Sequence, residues 1–174
     1  LEEKYYFSGE AFWADDDLVD KISKRVKELK PTLIGKKAPA LFGTDSLGNV
    51  VNLEKINSKF IVLYFYDPDC GHCRKKTPVL KDLYPAEFKS RDIEILSVCT
   101  VTDQNKWKKF IREHKIPWKD MADPQLRCNF RADYNINTTP KLFILDKDKK
   151  IIAKQLDVEQ IVDFIDKYSN LQQM

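Results

Sequence analysis

The 174 residues form a chain of 20.4 kDa that is 43% hydrophobic, enough for one sizeable core and too apolar for a disordered chain. Thirty basic residues face twenty-seven acidic ones, a net charge of +3, and the basic runs are short. This excludes an obvious nucleic-acid or anionic-membrane surface. The apolar runs are too short to span a bilayer. With five glycines there is no GxGxxG or Walker-type loop, so nucleotide binding through such a loop is excluded as well.

In chain order, Tyr5, Tyr6, Phe7, Phe12 and Trp13 crowd the start. The acids at Asp15, Asp16 and Asp17 then cap a helix whose apolar residues Leu18, Val19, Ile22, Val26 and Leu29 recur at helical spacing, and Pro31 ends it. A helix with one apolar stripe must cover it. Residues 1–34 are therefore expected to be a helical extension, the end of a preceding domain, ahead of one domain over 35–174. The chain starts at Leu1 without a leader and is read as a trimmed product, which leaves its destination open.

From residue 35 strand and helix alternate. Residues 49–53 read as a short strand after a turn, and residues 60–66 as a buried central strand. Asp67, Pro68 and Asp69 break that run, and a helix is expected over 70–83, bent near Pro78. A buried strand over 93–98 follows. A helix then runs from Asp103 or Gln104 to His114, with Trp107, Phe110 and Ile111 inward. A short helix within 125–134, a hairpin of 141–145 with 151–154 and a closing helix over 158–168 complete the pattern. Parallel strands joined by helices and finished by a hairpin define an α/β domain with a central mixed sheet flanked by helices.

Chemistry concentrates at Cys70–Gly71–His72–Cys73, where a strand ends and a helix begins. Cysteines three apart on a first helical turn have Cα atoms roughly 5–6 Å apart, the separation a disulfide needs. Cys70 meets the unpaired N–H groups and positive end of the helix dipole, which favour a thiolate. Cys73, one turn on, is expected to be buried and resolving. Gly71 admits a substrate backbone, and His72, when protonated, adds positive charge beside the Cys70 sulfur. A zinc site would need two more ligands at compatible spacing, and Cys99 and Cys128 form no second CxxC. Both read as buried small hydrophobes, a Cys99–Cys128 disulfide being the lesser alternative.

Two segments, "YFYDPDCGHCRKKTPVL" and "INTTPKLFILDKDKKII", together resemble the thioredoxin-like superfamily, over about residues 35–170. Within it, the chain resembles the TlpA/ResA-type thiol-disulfide oxidoreductases of bacterial cell envelopes. The lead-in "IGKKAPALFGTDSLGNVVNL", an extra N-terminal β-hairpin, is shared by that branch and by AhpC/TSA peroxiredoxins. The opening "EKYYFSGEAFWADD" is similar to chains of Bacteroidetes-type bacteria in which another domain comes first.

The resemblance implies a thioredoxin-like fold, Cys70 as the attacking thiol and Cys73 as the resolving thiol. It also implies a cis peptide at Thr139–Pro140, with Thr139 pairing its backbone with substrate. It implies no cofactor and no metal. The partners it implies are protein thiols and disulfides and a redox partner that recycles the CxxC, and the place is the periplasm or cell envelope. Three positions depart from the family: Asp69 replaces the usual Trp, Tyr64 stands where thioredoxin has a buried Asp, and Lys76 where ResA-type chains have a Glu. Neither usual carboxylate for proton transfer to Cys73 is therefore present. With His72 favouring the thiolate and Asp69 opposing it, the expected potential is roughly −250 to −190 mV.

Two other readings compete. A peroxiredoxin-like peroxidase would need P-x-x-x-T-x-x-C, and the corresponding positions hold Leu63 and Asp67. A metal-binding or metallochaperone module would use Cys70, His72 and Cys73.

Overall fold

The computed structural model describes residues 16–172. The early aromatic cluster and Asp15 lie outside them. Helix α1 (Asp16–Leu29) stops where Pro31 enters a single 3-10 turn, Lys30–Thr32. Strands β1 (Phe42–Thr44) and β2 (Val50–Asn52) form the lead-in hairpin. Next come β3 (Phe60–Tyr66), α2 (Gly71–Leu83), β4 (Ile93–Cys99), α3 (Gln104–His114) and β5 (Lys119–Ala122). A single-turn helix α4 (Phe130–Asp133), strands β6 (Lys141–Asp146) and β7 (Ile151–Lys154), and α5 (Ile161–Gln172) finish the chain.

The seven strands lie in the order β2-β1-β5-β4-β3-β6-β7. β3 runs parallel to β4, and β4 to β5, whereas β6 runs antiparallel to both β3 and β7. A β-strand turns alternate side chains to opposite faces. Phe60, Val62, Tyr64 and Tyr66 therefore pack in one core with Cys73 and Leu80 of α2, Trp107 and Phe110 of α3, and Ile161 and Ile165 of α5. Ile61, Leu63 and Phe65 pack in the other, beneath Leu41, Leu53, Phe130 and Tyr134. Every residue of β3 is buried, because both faces are covered.

The lead-in is held to the opposite edge of the sheet. Gly35 N–H donates to the Ile151 carbonyl (2.7 Å), Ile151 N–H to Lys36 (2.8 Å) and Ala38 N–H to Lys149 (2.8 Å). Gly43 lets β1 reach β5, since a Cβ there would run into the Ala122 carbonyl oxygen.

The short helix expected within 125–134 is the turn Phe130–Asp133; it starts late because Leu126 takes a positive φ of 54° and Cys128 N–H is drawn to the Asp123 carboxylate (2.6 Å). Two local expectations change. Residues 119–122 form a strand that no apolar pattern announced. The stretch after Asn52 coils into a 3-10 turn, Leu53–Lys55, capped by the Asn52 side chain. The α1 stripe is only partly covered: Val19, Ile22, Val26 and Leu29 are half-buried and Leu18 is exposed.

Candidate active site

The break after β3 is built by local hydrogen bonds. Asp67 accepts the Asp69 N–H on its carboxylate (2.8 Å) and the Cys70 N–H on its carbonyl (3.1 Å). This turn delivers Cys70 to the N-cap of α2 with extended φ/ψ (−74°, 117°). The Cys70 carbonyl accepts Arg74 N–H (3.1 Å), while Arg74 Nε donates to the Pro68 carbonyl (2.8 Å) and locks helix to turn. Asn or Asp at such a position would satisfy the free N–H groups with a side-chain oxygen. Here the half-buried sulfur stands at that position without making a side-chain capping bond.

Burial alone would push the Cys70 thiol up, but the N–H of Cys73, the Thr139 and Cys73 side chains and the N–H of His72 outweigh it. Its pKa falls below the ordinary thiol value of 9.0. Cys73 is fully buried and its thiol is pushed up to about 12, chiefly by burial; the Asp67 N–H opposes this and the neighbouring Cys70 adds to it. One helical turn thus carries an accessible sulfur easily ionised and a buried one that resists ionisation.

The Thr139–Pro140 peptide bond is cis, and the Cys70 thiol donates to the Thr139 carbonyl at 3.2 Å. The loop before it is pinned from several sides. Ile136 N–H reaches the Arg131 carbonyl (2.8 Å), Tyr134 donates to the Pro39 carbonyl (2.6 Å), and Lys141 Nζ donates to the Asn135 carbonyl. Sequence-expected Cys70, Cys73, Thr139 and Pro140 thus come together across a separation of some seventy residues. His72 is exposed on α2, and its N–H is among the groups acting on the Cys70 sulfur.

The three departures from the family pattern each have a partner. Asp69 pairs with Lys106 of α3 (2.5 Å), which holds its carboxyl below the usual range. Lys76 is bound by Glu159 (2.8 Å) and Asp157 (3.4 Å). Tyr64, buried in β3, sets its hydroxyl 3.3 Å from the Cys73 carbonyl and 3.4 Å from Thr77 Oγ1. Burial raises the Tyr64 phenol first, and Cys73 and Cys70 raise it further. These partners lie 9 to 83 residues away in the chain, so no local pattern could reveal them.

Cys99 and Cys128 are buried thiols in different cores on opposite sides of the sheet, which removes the physical basis for a disulfide between them. Among the described residues no three His, Cys, Asp or Glu side chains are arranged to hold a metal ion. No described helix is long and apolar enough to cross a membrane.

Comparison with known proteins finds thiol-disulfide oxidoreductases and a peroxiredoxin. A solved domain described as a possible thiol-disulfide isomerase from Cytophaga hutchinsonii is 35% identical, with a TM-score of 0.72, over 81% of this chain and 96% of that one. Thiol-disulfide oxidoreductase ResA of Bacillus cereus is 27% identical over 121 residues, 70% of this chain and 68% of its own. Peroxiredoxin Bcp of Bacillus subtilis is 29% identical over 133 residues, 70% of this chain and 83% of its own. Residues 34–154 match the AhpC/TSA family. The chain therefore belongs to the AhpC/TSA family, with a thioredoxin-like fold, and is an oxidoreductase related to the ResA-type thiol-disulfide oxidoreductases.

Proposed function

We propose that the protein exchanges disulfides with protein substrates through its CGHC turn. The observation that carries this reading is the asymmetry of the two thiols: Cys70 lowered and reachable at a helix N-cap, Cys73 buried and raised to about 12. In the reductive direction the Cys70 thiolate attacks one substrate sulfur, the substrate S–S bond breaks, and the departing thiolate takes a proton from water. Cys73 then loses its proton and attacks Cys70 Sγ. That step releases the second substrate thiolate and leaves a Cys70–Cys73 disulfide, so two electrons have passed to the substrate. A redox partner returns them. The oxidative direction is the reverse.

Thr139 is the residue to hold the substrate backbone, its carbonyl already lying 3.2 Å from the attacking sulfur, with Pro140 shaping the approach. His72 tunes the Cys70 thiolate. Residues 1–34 form a helical extension to a catalytic domain over 35–174, and the periplasm or cell envelope is the place of action. The test is insulin-disulfide reduction with dithiothreitol as donor: activity is expected in the native chain and lost in Cys70→Ser. Equal activity in that variant would refute the mechanism.

The similarity to peroxiredoxin Bcp keeps a peroxidase reading in view. Leu63 and Asp67 at the positions of that motif's Pro and Thr speak against it. Thiol-dependent consumption of hydrogen peroxide separates the two readings.

A further inference from the structure

Beside the cis-proline loop lies a cleft of about 440 Å³, walled in part by Thr138, Pro140, Lys141, Asn135, Lys76 and Arg25. Three cations thus face it, against one carboxylate, that of Asp157. Lys76 and Asp157 neutralise each other within a group that includes Glu159, and Arg25 meets Glu28 on the exposed side of α1 (3.2 Å). Lys141 differs. Half-buried, it donates to the Asn135 carbonyl and lies 5.9 Å from the centre of the Phe143 ring, yet no described carboxylate lies within ion-pair distance of it. Burial, then Arg25 and Lys154, lower its pKa, the mark of positive charge converging without a counterion.

A second observation points into the same cleft. Asn135 is 5% exposed, and its side-chain oxygen accepts from Asn137, but its buried Nδ2 has no acceptor. An orphaned buried donor is rare in native structures, as is a half-buried ammonium without an anion. Both residues belong to the wall of one cleft, where an anionic group relieves the ammonium and the buried amide adds a positive dipole behind it.

We propose that this cleft is a subsite for a carboxylate carried by the disulfide substrate, received by Lys141. The proposal rests on the thiol-exchange reading and deepens it. Thr138 and Pro140 of the cleft flank Thr139, which touches the Cys70 sulfur, so a peptide joined to Cys70 passes the cleft mouth. At about 3.3 Å per extended residue, an acidic residue one to three positions from the substrate cysteine reaches it.

The test uses reduced full-length protein and peptides whose single cysteine is activated as a 2-pyridyl disulfide, with Glu, Gln or Lys placed at each of those positions. Attack by Cys70 joins the peptide to the protein and releases 2-thiopyridone, which is followed by its absorbance. The best-placed Glu peptide is expected to react about tenfold faster than its Gln counterpart, the scale of one charge-assisted contact, with Lys slowest. Lys141→Gln should bring the Glu/Gln ratio close to one, and Lys141→Arg should restore it. Should Lys141→Gln fail to fold, Arg25→Gln on the exposed helix reads the same field, and the ratio should fall part of the way. Glutathione disulfide, run in parallel, separates the carboxylate's sources: a Lys141 effect confined to it assigns a small-molecule disulfide, and one confined to peptides a protein. A Glu/Gln ratio of one in the native chain, with the Gln peptide still consumed through Cys70 and no Lys141 effect on glutathione disulfide, overturns the subsite. If no peptide reacts through Cys70, the exchange reading itself fails.

Discussion

Replacing Tyr64 by Phe isolates how the buried resolving thiol sheds its proton. The change removes one hydroxyl and keeps the ring that stacks on Tyr66 at 6.0 Å. The Cys73 carbonyl retains its stronger bond from Thr77 Oγ1 (2.9 Å), so no backbone acceptor is orphaned and the stability cost should be about 1 kcal/mol. The hydroxyl is nonetheless the buried protic group that responds to charge on Cys73: a thiolate there makes the phenolate harder to form. Its bond to the Cys73 carbonyl, at 3.3 Å, draws negative charge away from that residue and so favours a thiolate on it. Removing that dipole from beside a buried thiolate should cost up to roughly 1.5 kcal/mol, about tenfold in rate. Reaction with Ellman's reagent reads both steps, one thionitrobenzoate leaving on attack by Cys70 and a second on resolution by Cys73. The first phase should stay within about twofold of native and the second slow about tenfold. An unchanged second phase would show that Tyr64 serves packing alone.

Four further outcomes follow from neighbouring features. Asp120 is buried beneath donors from Ser97 and Trp107, and burial lifts its pKa from 3.8 to about 7, so the folded chain keeps a proton that the unfolded chain releases. That contribution is full below about pH 4 and is lost as pH rises through about 7; relative to Asp120→Asn, urea unfolding should show the native chain losing a few kcal/mol between pH 5 and pH 8, and parallel profiles would contradict this. His72→Pro removes both an imidazole and an N–H that acts on the Cys70 sulfur, so equilibration with glutathione should give a potential lower by an order of 30 mV or more. Because Lys106 offsets Asp69, the native value should fall toward the less negative end of roughly −250 to −190 mV. Deleting residues 1–34 should leave exchange with insulin intact while promoting aggregation, since it removes α1 and uncovers the surface beneath it; loss of exchange in a still-folded protein would place the segment in the active site.

The fold was legible where signals are local. The seven apolar residues of β3 and the capping Asp103 of α3 announce their elements directly, and both appear where their patterns place them. β5 was hidden, because Lys119 and Asp120 are poor strand residues. It exists through its pairing with β4 and through the bond that Asp120 accepts from Ser97. Likewise, nothing in residues 125–134 shows that Asp123 will capture the Cys128 N–H and delay the helix to Phe130. At the site, the CGHC turn is written in consecutive residues. Its electrostatic setting is written in Tyr64, Lys106 and Glu159, brought there only by the sheet and its helices. Asp69 could therefore be read from sequence as opposing the thiolate, while the lysine that offsets it could not.

The central claim is that Cys70 attacks and Cys73 releases. Cys73→Ala, incubated with an oxidised protein substrate and analysed by non-reducing electrophoresis and peptide mass spectrometry, tests it most directly. The claim predicts a persistent mixed disulfide joining the substrate to Cys70, released by dithiothreitol and absent from the Cys70→Ser, Cys73→Ala double variant. An adduct on Cys99 or Cys128, or none on Cys70 while the native protein still turns over the substrate, would contradict it.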